Sequence, residues 1–388
     1  MPDGRKDRDS GMSLTPRQLN RATLDRQLLL RREPLNAADA VRRIVAVQAQ
    51  EAASPYIALW NRLAGFDAAD LDAAFADRAV VKASLMRITL HAVHAEDYPE
   101  FHNAMWRTLR AARLGDSRFT SSGLSTADAD ALLPHLAAFT VRPRTVTEVE
   151  DLLAARLGER KRGVWWALRT FAPLHHTPTG GPWSFGAWSS FVAAPAKPEP
   201  AEEDTSVQRL LLRYLQAFGP ASMRDFAQFT MLRRPVAAQA LRALADRVEE
   251  RQGPGGETLF DVAGASLPAE DTVAPPRLLP MWDSTLLAYS DRSRIIPQDY
   301  RALVIRRNGD VLPALLVDGY VAGVWRPAEG GIEATAFHRL DEGTWEGLAA
   351  EARALVAFLA DREPAVYRRY AHWWAKHLPG AEVRLLPG

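Results

Sequence analysis

Apolar residues recur at helical spacing from the start of the chain. Thr15-Pro16 has the signature of an N-cap followed by proline at the first helical position, and Leu19, Thr23, Leu24, Gln27, Leu28 and Leu30 continue a helix over 16–32. Asn36 opens a second helix running to residue 50, in which Val41, Ile44 and Gln48 share one face. A third is predicted over 54–63, with Pro55 in its first turn. Residues 80–94 (VVKASLMRITLHAVH) are β-branched enough to form the strands of a wing, and helices follow over 95–114 and 125–139.

The same order then repeats. Thr147 with Glu150 three residues on predicts a capped helix, residues 164–170 a second, and residues 173–185 a strand, a Gly-rich turn and a strand. An acidic, Pro-rich linker occupies 194–204. Beyond it lie a helix over 206–217, Ser222 capping a helix over 223–228, a helix over 235–245, and a wing around 251–261 with Gly253-Pro254-Gly255-Gly256 at its tip. The repetition is one of element order, with no repeat legible at the level of residues. It gives units over 14–140, 145–193 and 206–265. From 277 to 388 the pattern turns to strands, with Asp318-Gly319 marking a tight hairpin between 312–317 and 320–325 and another strand over 332–340. Helices over 343–361 and 364–377 close that region.

Composition narrows the function classes. In 388 residues with 47% hydrophobic content there is ample core, and without cysteine there is no disulfide, thiolate nucleophile or Cys-ligated zinc. The polar start MPDGRKDRDSG is neither a signal peptide nor a spanning segment; it reads as a disordered extension over 1–13 with Met12 as an alternative start, and a cytoplasmic protein is expected. Net charge is +1, but arginines cluster, Arg42 and Arg43 among them and Arg292 and Arg294 in a later group, so one face can be basic. No cofactor or metal is expected: His91 and His94 on a strand point to opposite faces, and no nucleotide-binding or nucleophile-elbow motif occurs. The Trp165-Trp166 and Trp373-Trp374 pairs fit either core packing or stacking on bases. Asp283, Asp291 and Arg292 among apolar residues fit either a buried ion pair or cap, or a phosphate contact.

Two glutamines, Gln48 and Gln50, stand at the polar end of the run RIVAVQAQ. In an ideal helix they point about 200° apart. An irregular helix end before Pro55 lets both amides converge on one point, where they can orient a water without deprotonating it; a solvated or merely satisfied pair is the plainer reading.

This Gln-x-Gln segment resembles the motif of the AlkZ-like winged-helix DNA glycosylases. RITLHAVHAEDY (87–98), FGPASMRDF (218–226), LLPMWDSTLLAYSDRSRIIP (278–297) and NGDVLPALLVDGYVAGVW (308–325) resemble that family's landmarks in order. The resemblance implies an α+β protein of three tandem winged helix-turn-helix units forming a concave basic surface, followed by a C-terminal β-rich domain with helices. It implies a monofunctional glycosylase that releases N7-alkylated purines, including bulky adducts and interstrand cross-links, with self-resistance to a DNA-alkylating natural product as one role. Gln48 and Gln50 are the expected catalytic pair, and a related branch carries Asp at the second position. Thr89 and His91 match a landmark and are placed beside the site, a core histidine being the alternative for His91. Double-stranded DNA bearing alkylated purines is the expected partner, with contacts from Arg42, Arg43, Lys82, Arg292 and Arg294 and with the hairpin Asp318, Gly319 and Tyr320 probing the duplex. A monomer with no obligatory protein partner and no membrane association is expected. The rival class is a winged-helix regulator without chemistry, which would read a major groove, commonly as a dimer on a palindrome.

Overall fold

The computed structural model describes residues 13–195, 198–376 and 378–388, so the expected N-terminal extension lies outside them apart from Ser13. Thr15 caps α1 (Pro16–Arg26) through a reciprocal bond with Gln18. Next come α2 (Ala37–Arg43), β1 (Val47–Gln48), α3 (Ser54–Trp60), α4 (Ala68–Ala76), β2 (Val80–Ser84) and β3 (Leu90–His94). The helix expected to run to residue 50 therefore stops at Arg43. Val45 adopts a left-handed φ of 74°, and the β-branched stretch beyond it finds its hydrogen bonds in a ladder with β3 instead. The Ala49 N–H donates to the Leu90 carbonyl at 2.8 Å.

The middle of the chain holds α5 (Tyr98–Leu114), α6 (Ser117–Thr120), α7 (Thr126–Phe139), β4 (Arg144–Thr145), α8 (Val146–Leu157), α9 (Val164–Phe171), β5 (Leu174–Thr177) and β6 (Ser190–Ala193). Two local expectations are corrected. The capping box of α8 is Thr145 with Glu148, two residues earlier than Thr147 with Glu150. The strand pairing with β5 is 190–193 and not the residues just after the glycines. Trp183 and Phe185 leave the sheet to pack on the first unit, with ring centroids 5.0 Å from Tyr56 and 4.9 Å from Phe75.

Then follow α10 (Glu203–Phe218), α11 (Met223–Thr230), α12 (Arg234–Ala243), β7 (Val248–Gln252) and β8 (Thr258–Val262). Glu203 and Asp204, assigned to the linker by composition, form the first turn of α10, where negative charge suits the helix dipole. Three times the chain runs helix, short extended segment, two helices, hairpin. Each time the short segment pairs antiparallel with the second hairpin strand: β1 with β3, β4 with β6, and Ala221 with Phe260 of β8. Lys82 opposite His176 joins the first two hairpins into one six-stranded sheet of order β1-β3-β2-β5-β6-β4.

The C-terminal region contains β9 (Arg277–Leu279), α13 (Arg301–Val304), β10 (Ala314–Val317), β11 (Tyr320–Ala328), β12 (Gly331–Ala336), α14 (Glu342–Ala360), α15 (His372–Ala375) and β13 (Glu382–Pro387). Its five strands run in the order β13-β12-β11-β10-β9. The helix expected over 364–377 is reduced to short turns because Tyr367 takes a left-handed φ of 65°; His377 lies outside the described residues. One apolar core joins α2, α3 and α4 to this sheet and α14, and another joins α5 with α7 through α12. The six-stranded sheet separates them, giving Val47, Val80 and Ala92 to the first core and Val81, Ala83 and Val93 to the second.

Asp283 resolves to a buried ion pair. Arg62 donates to both its carboxylate oxygens at 2.9 Å, joining α3's end to the C-terminal region. Burial acts to raise the Asp283 carboxyl, but the Arg62 charge and hydrogen bonds from Arg62 and Thr285 outweigh it and hold the group below the ordinary carboxylate range. We expect Arg62→Ala to cost about 3–5 kcal/mol in denaturant unfolding, since it leaves a buried charge unpaired; a loss below about 1 kcal/mol would match a solvated surface pair instead. Because the folded value is depressed, the pair's contribution is present above the ordinary carboxylate pKa and is lost as pH falls through the folded one.

Candidate active site

The ladder between β1 and β3 sets Gln48 opposite His91. The strand ends at Gln48, and Gln50 lies just beyond it in a bend, so the divergence that an ideal helix imposes on the pair does not apply. Gln48 is buried, with 3% of its surface exposed, whereas Gln50 is exposed and makes no hydrogen bond among the described residues. Glu51, the next carboxylate, is half-buried and committed elsewhere, bonded by Tyr370 and ion-paired with Arg369.

Between β2 and β3 the chain turns through Met86–Ile88, and both Arg87 (φ 53°) and Ile88 (φ 59°) are left-handed. Such a conformation is strained for these residues and is held here by bonds from Leu85 N–H to the Thr89 carbonyl and from the Thr89 hydroxyl to the Met86 carbonyl, at 3.0 and 3.1 Å. The turn brings Arg87 back over the sheet. Its Nη2 donates to Gln48 Oε1 at 2.6 Å and faces His91 Nε2 at 3.3 Å. An arginine can only donate, so the Gln48 atom it meets is the carbonyl oxygen and His91 Nε2 carries a lone pair. The other ring nitrogen, Nδ1, donates to the Thr89 carbonyl at 3.1 Å. Burial and the Arg87 charge push His91 down to about 3. Arg87 itself is drawn down to about 10 by burial and by the nearby Arg292 charge, and it remains cationic at neutral pH; its guanidinium lies 5.2 Å from the Phe229 ring centroid on α11. Gln48 is thus an oriented amide with its oxygen occupied, leaving its NH2 as the group it can present.

The remaining sequence candidates fall in different places. Thr89 is half-buried in the turn, so Gln48, Thr89 and His91 are brought together. Lys82 is buried on the opposite face, its ammonium 4.2 Å above the Phe185 ring, and burial pulls it down to about 8. Arg42 pairs with Glu96 at 2.9 Å, while Arg43 is exposed and makes no ion pair among the described residues. Arg292 is half-buried and makes no ion pair among the described residues. Arg294 is spent on the protein, stacked 4.2 Å from the Tyr289 ring and donating to the Pro220 carbonyl at 2.8 Å.

The hairpin at Asp318 and Gly319 forms as expected, but it docks on α1. Arg17 and Arg21 both pair with the Asp318 carboxylate, and the Asn20 amide donates to the Gly319 carbonyl at 2.8 Å. Gly319, at φ 81°, leaves no room for a Cβ, which would strike Asn20 and Leu24. Tyr320, the first residue of β11, is half-buried beside it. Arg87 was missed by sequence reading although it opens the landmark RITLH; a lone basic residue between two apolar strands was its available signal.

The family model for AlkZ-like DNA glycosylases matches residues 41–358. The chain belongs to the AlkZ-like DNA glycosylase family. It is accordingly a DNA-repair enzyme acting on N-glycosyl bonds, and the reading as a regulator without chemistry is set aside. A relative from Streptomyces sahachiroi, an interstrand DNA cross-link repair glycosylase, is 27% identical over 350 residues, spanning 84% of this chain and 91% of its own. The solved structure of the Streptomyces sahachiroi DNA glycosylase AlkZ aligns with a TM-score of 0.75 and 22% identity over 91% of this chain and 99% of its own, a likeness of fold. Among the described residues no helix is long and apolar enough to cross a membrane.

The cluster makes a pH prediction for this glycosylase. With its pKa near 3, the His91 ring stays neutral, so its ring NMR shifts should hold constant from pH 8 to 5; titration near 6.5 would show that it is neither buried nor beside Arg87. The sign follows from linkage: a histidine whose folded pKa is depressed binds its proton better when unfolded, so it lowers stability as pH falls below about 6.5.

Proposed function

We propose that this glycosylase releases N7-alkylated purines from duplex DNA as a monofunctional enzyme, with Gln48 and Gln50 as the catalytic pair. The observation that carries the reading is the Arg87-held amide of Gln48, two residues before an exposed Gln50, with the neighbouring Glu51 carboxylate bound to Arg369. Alkylation at N7 puts a positive charge on the purine before the enzyme acts, so the base departs without a strong general acid. Water oxygen bonds to the sugar's anomeric carbon as the bond to purine nitrogen breaks. The electron pair neutralises the base, and the proton shed by the attacking water passes to solvent. The Gln48 NH2 can donate to the water oxygen and fix its position, and the Gln50 carbonyl is free to accept a water hydrogen and face the developing sugar cation.

The thrice-repeated element order, with the short strand closing on each hairpin, supports three tandem winged helices, the frame on which a duplex would lie. Bulky adducts and interstrand cross-links suit a site with Gln50 at the surface, and the Streptomyces sahachiroi relative is named for cross-link repair. Self-resistance to a DNA-alkylating natural product is consistent with such substrates. We propose a monomer on duplex DNA needing no cofactor. Lys82 lies buried on the far face, which supports an abasic product over Schiff-base strand cleavage.

Single-turnover release from a duplex containing N7-methylguanine tests this. Gln48→Ala and Gln50→Ala should each slow release by about 100-fold or more, with affinity for an abasic-analogue duplex within about threefold of wild type. Wild-type product should break only after alkali, and borohydride should trap no covalent complex. Full activity in either variant contradicts the assignment, and a trapped complex contradicts the monofunctional reading.

A further inference from the structure

Gln50 makes no hydrogen bond of its own among the described residues, so its neighbours along the chain decide where it stands. Before it, the Ala49 N–H is held by the Leu90 carbonyl at 2.8 Å. After it, the chain bends through 51–53 into α3, and the side chains that fasten this bend reach across to the C-terminal region. Glu51 accepts a hydrogen bond from the Tyr370 hydroxyl at 3.1 Å and pairs with Arg369, which also donates to that hydroxyl. The hydroxyls of Ser54 and Tyr367 share a hydrogen bond of 2.9 Å.

Both tyrosines are anchored. They are buried, and the Tyr370 N–H donates to the Tyr367 carbonyl at 2.8 Å, closing the left-handed turn at Tyr367. The Tyr370 ring meets Trp282 edge to face with centroids 5.4 Å apart, and the Trp282 indole donates to the Gly309 carbonyl at 2.9 Å. Glu51 keeps only 18% of its side chain exposed, and burial holds its carboxyl above its ordinary value despite the Arg369 charge and the Tyr370 bond. Withdrawing a carboxylate from water costs free energy, and a partner as exposed as Arg369, at 66%, offsets little of it. Such a contact fixes a conformation more than it adds stability.

We propose that Glu51, Arg369 and Tyr370 form a positioning clamp for Gln50, so that the C-terminal region sets where the second amide stands as Arg87 sets the first. The first unit alone then does not complete the site. An amide placed through its neighbours keeps its own hydrogen-bonding groups free for water. The clamp presupposes the catalytic reading of Gln50, and the experiment separates failure of one from failure of the other.

Single-turnover release from an N7-methylguanine duplex at saturating enzyme is compared with affinity for an abasic-analogue duplex. Glu51→Ala should slow release by about tenfold or more with affinity within about threefold of wild type, because a small misplacement weighs on rate more than on binding. Glu51→Gln keeps an oxygen to which Tyr370 and Arg369 can donate, and should recover most of that loss. Tyr370→Phe removes one hydroxyl and leaves the ring packing; it should slow release in the same sense and add nothing further to Glu51→Ala. Equal losses in Glu51→Gln and Glu51→Ala would mean that the carboxylate acts on the substrate directly, which overturns the positioning role. The backbone order parameter of Gln50, measured by NMR without substrate, should fall in Glu51→Ala and Tyr370→Phe and be restored in Glu51→Gln. Order unchanged in all three overturns the clamp whatever happens to release. Order lost with release unchanged leaves the clamp standing and removes Gln50 from the chemistry.

Discussion

The site depends on a short antiparallel pairing, two residues of β1 against β3. That ladder ends the helix early and sets Gln48 opposite His91. It also fixes the distance over which Arg87, at the left-handed turn leading into β3, reaches back to the Gln48 carbonyl. A slip of one residue would move Gln48 to the other face, toward Lys82 and the core of the C-terminal region. The register is secured from both sides, by Val47 and Ala92 packing on one core and Val81, Ala83 and Val93 on the other.

The electrostatics of the site are unusual for a hydrolase. A neutral imidazole, an oriented amide and an arginine are clustered here, with no carboxylate bonded to them among the described residues. Under the proposed mechanism a fixed positive charge here would oppose a developing sugar cation, so that reading requires a leaving group that is itself cationic. The buried Arg62 and Asp283 pair plays a different part, binding α3's end to the C-terminal region and holding the two halves of that core together.

Much of the fold was legible because local signals were strong. Thr15, Ser222 and Asn36 cap the helices assigned to them, and the Asp318-Gly319 turn closes its hairpin. Errors arose where tertiary contacts overrode periodicity. Val41, Ile44 and Gln48 have helical spacing, yet the chain between them breaks at Val45, where pairing begins with a strand more than forty residues further along the chain. Trp183 and Phe185 read as strand residues but are claimed by aromatic packing across units. The candidate site was legible in its glutamines and in the Thr89 and His91 landmark. Arg87 was not, because its role comes from a turn conformation that no local rule assigns to arginine. The docking of Asp318 onto Arg17 and Arg21 was equally hidden, being set by residues some three hundred positions apart.

The most direct measurement compares single-turnover release of two bases of the same shape, N7-methylguanine and uncharged 7-methyl-7-deazaguanine, from otherwise identical duplexes. The account predicts release of the cationic base alone, with the neutral one bound at similar affinity and left in place. Comparable release of the neutral base would mean that the site supplies acid or carboxylate assistance of its own, and the account would be wrong.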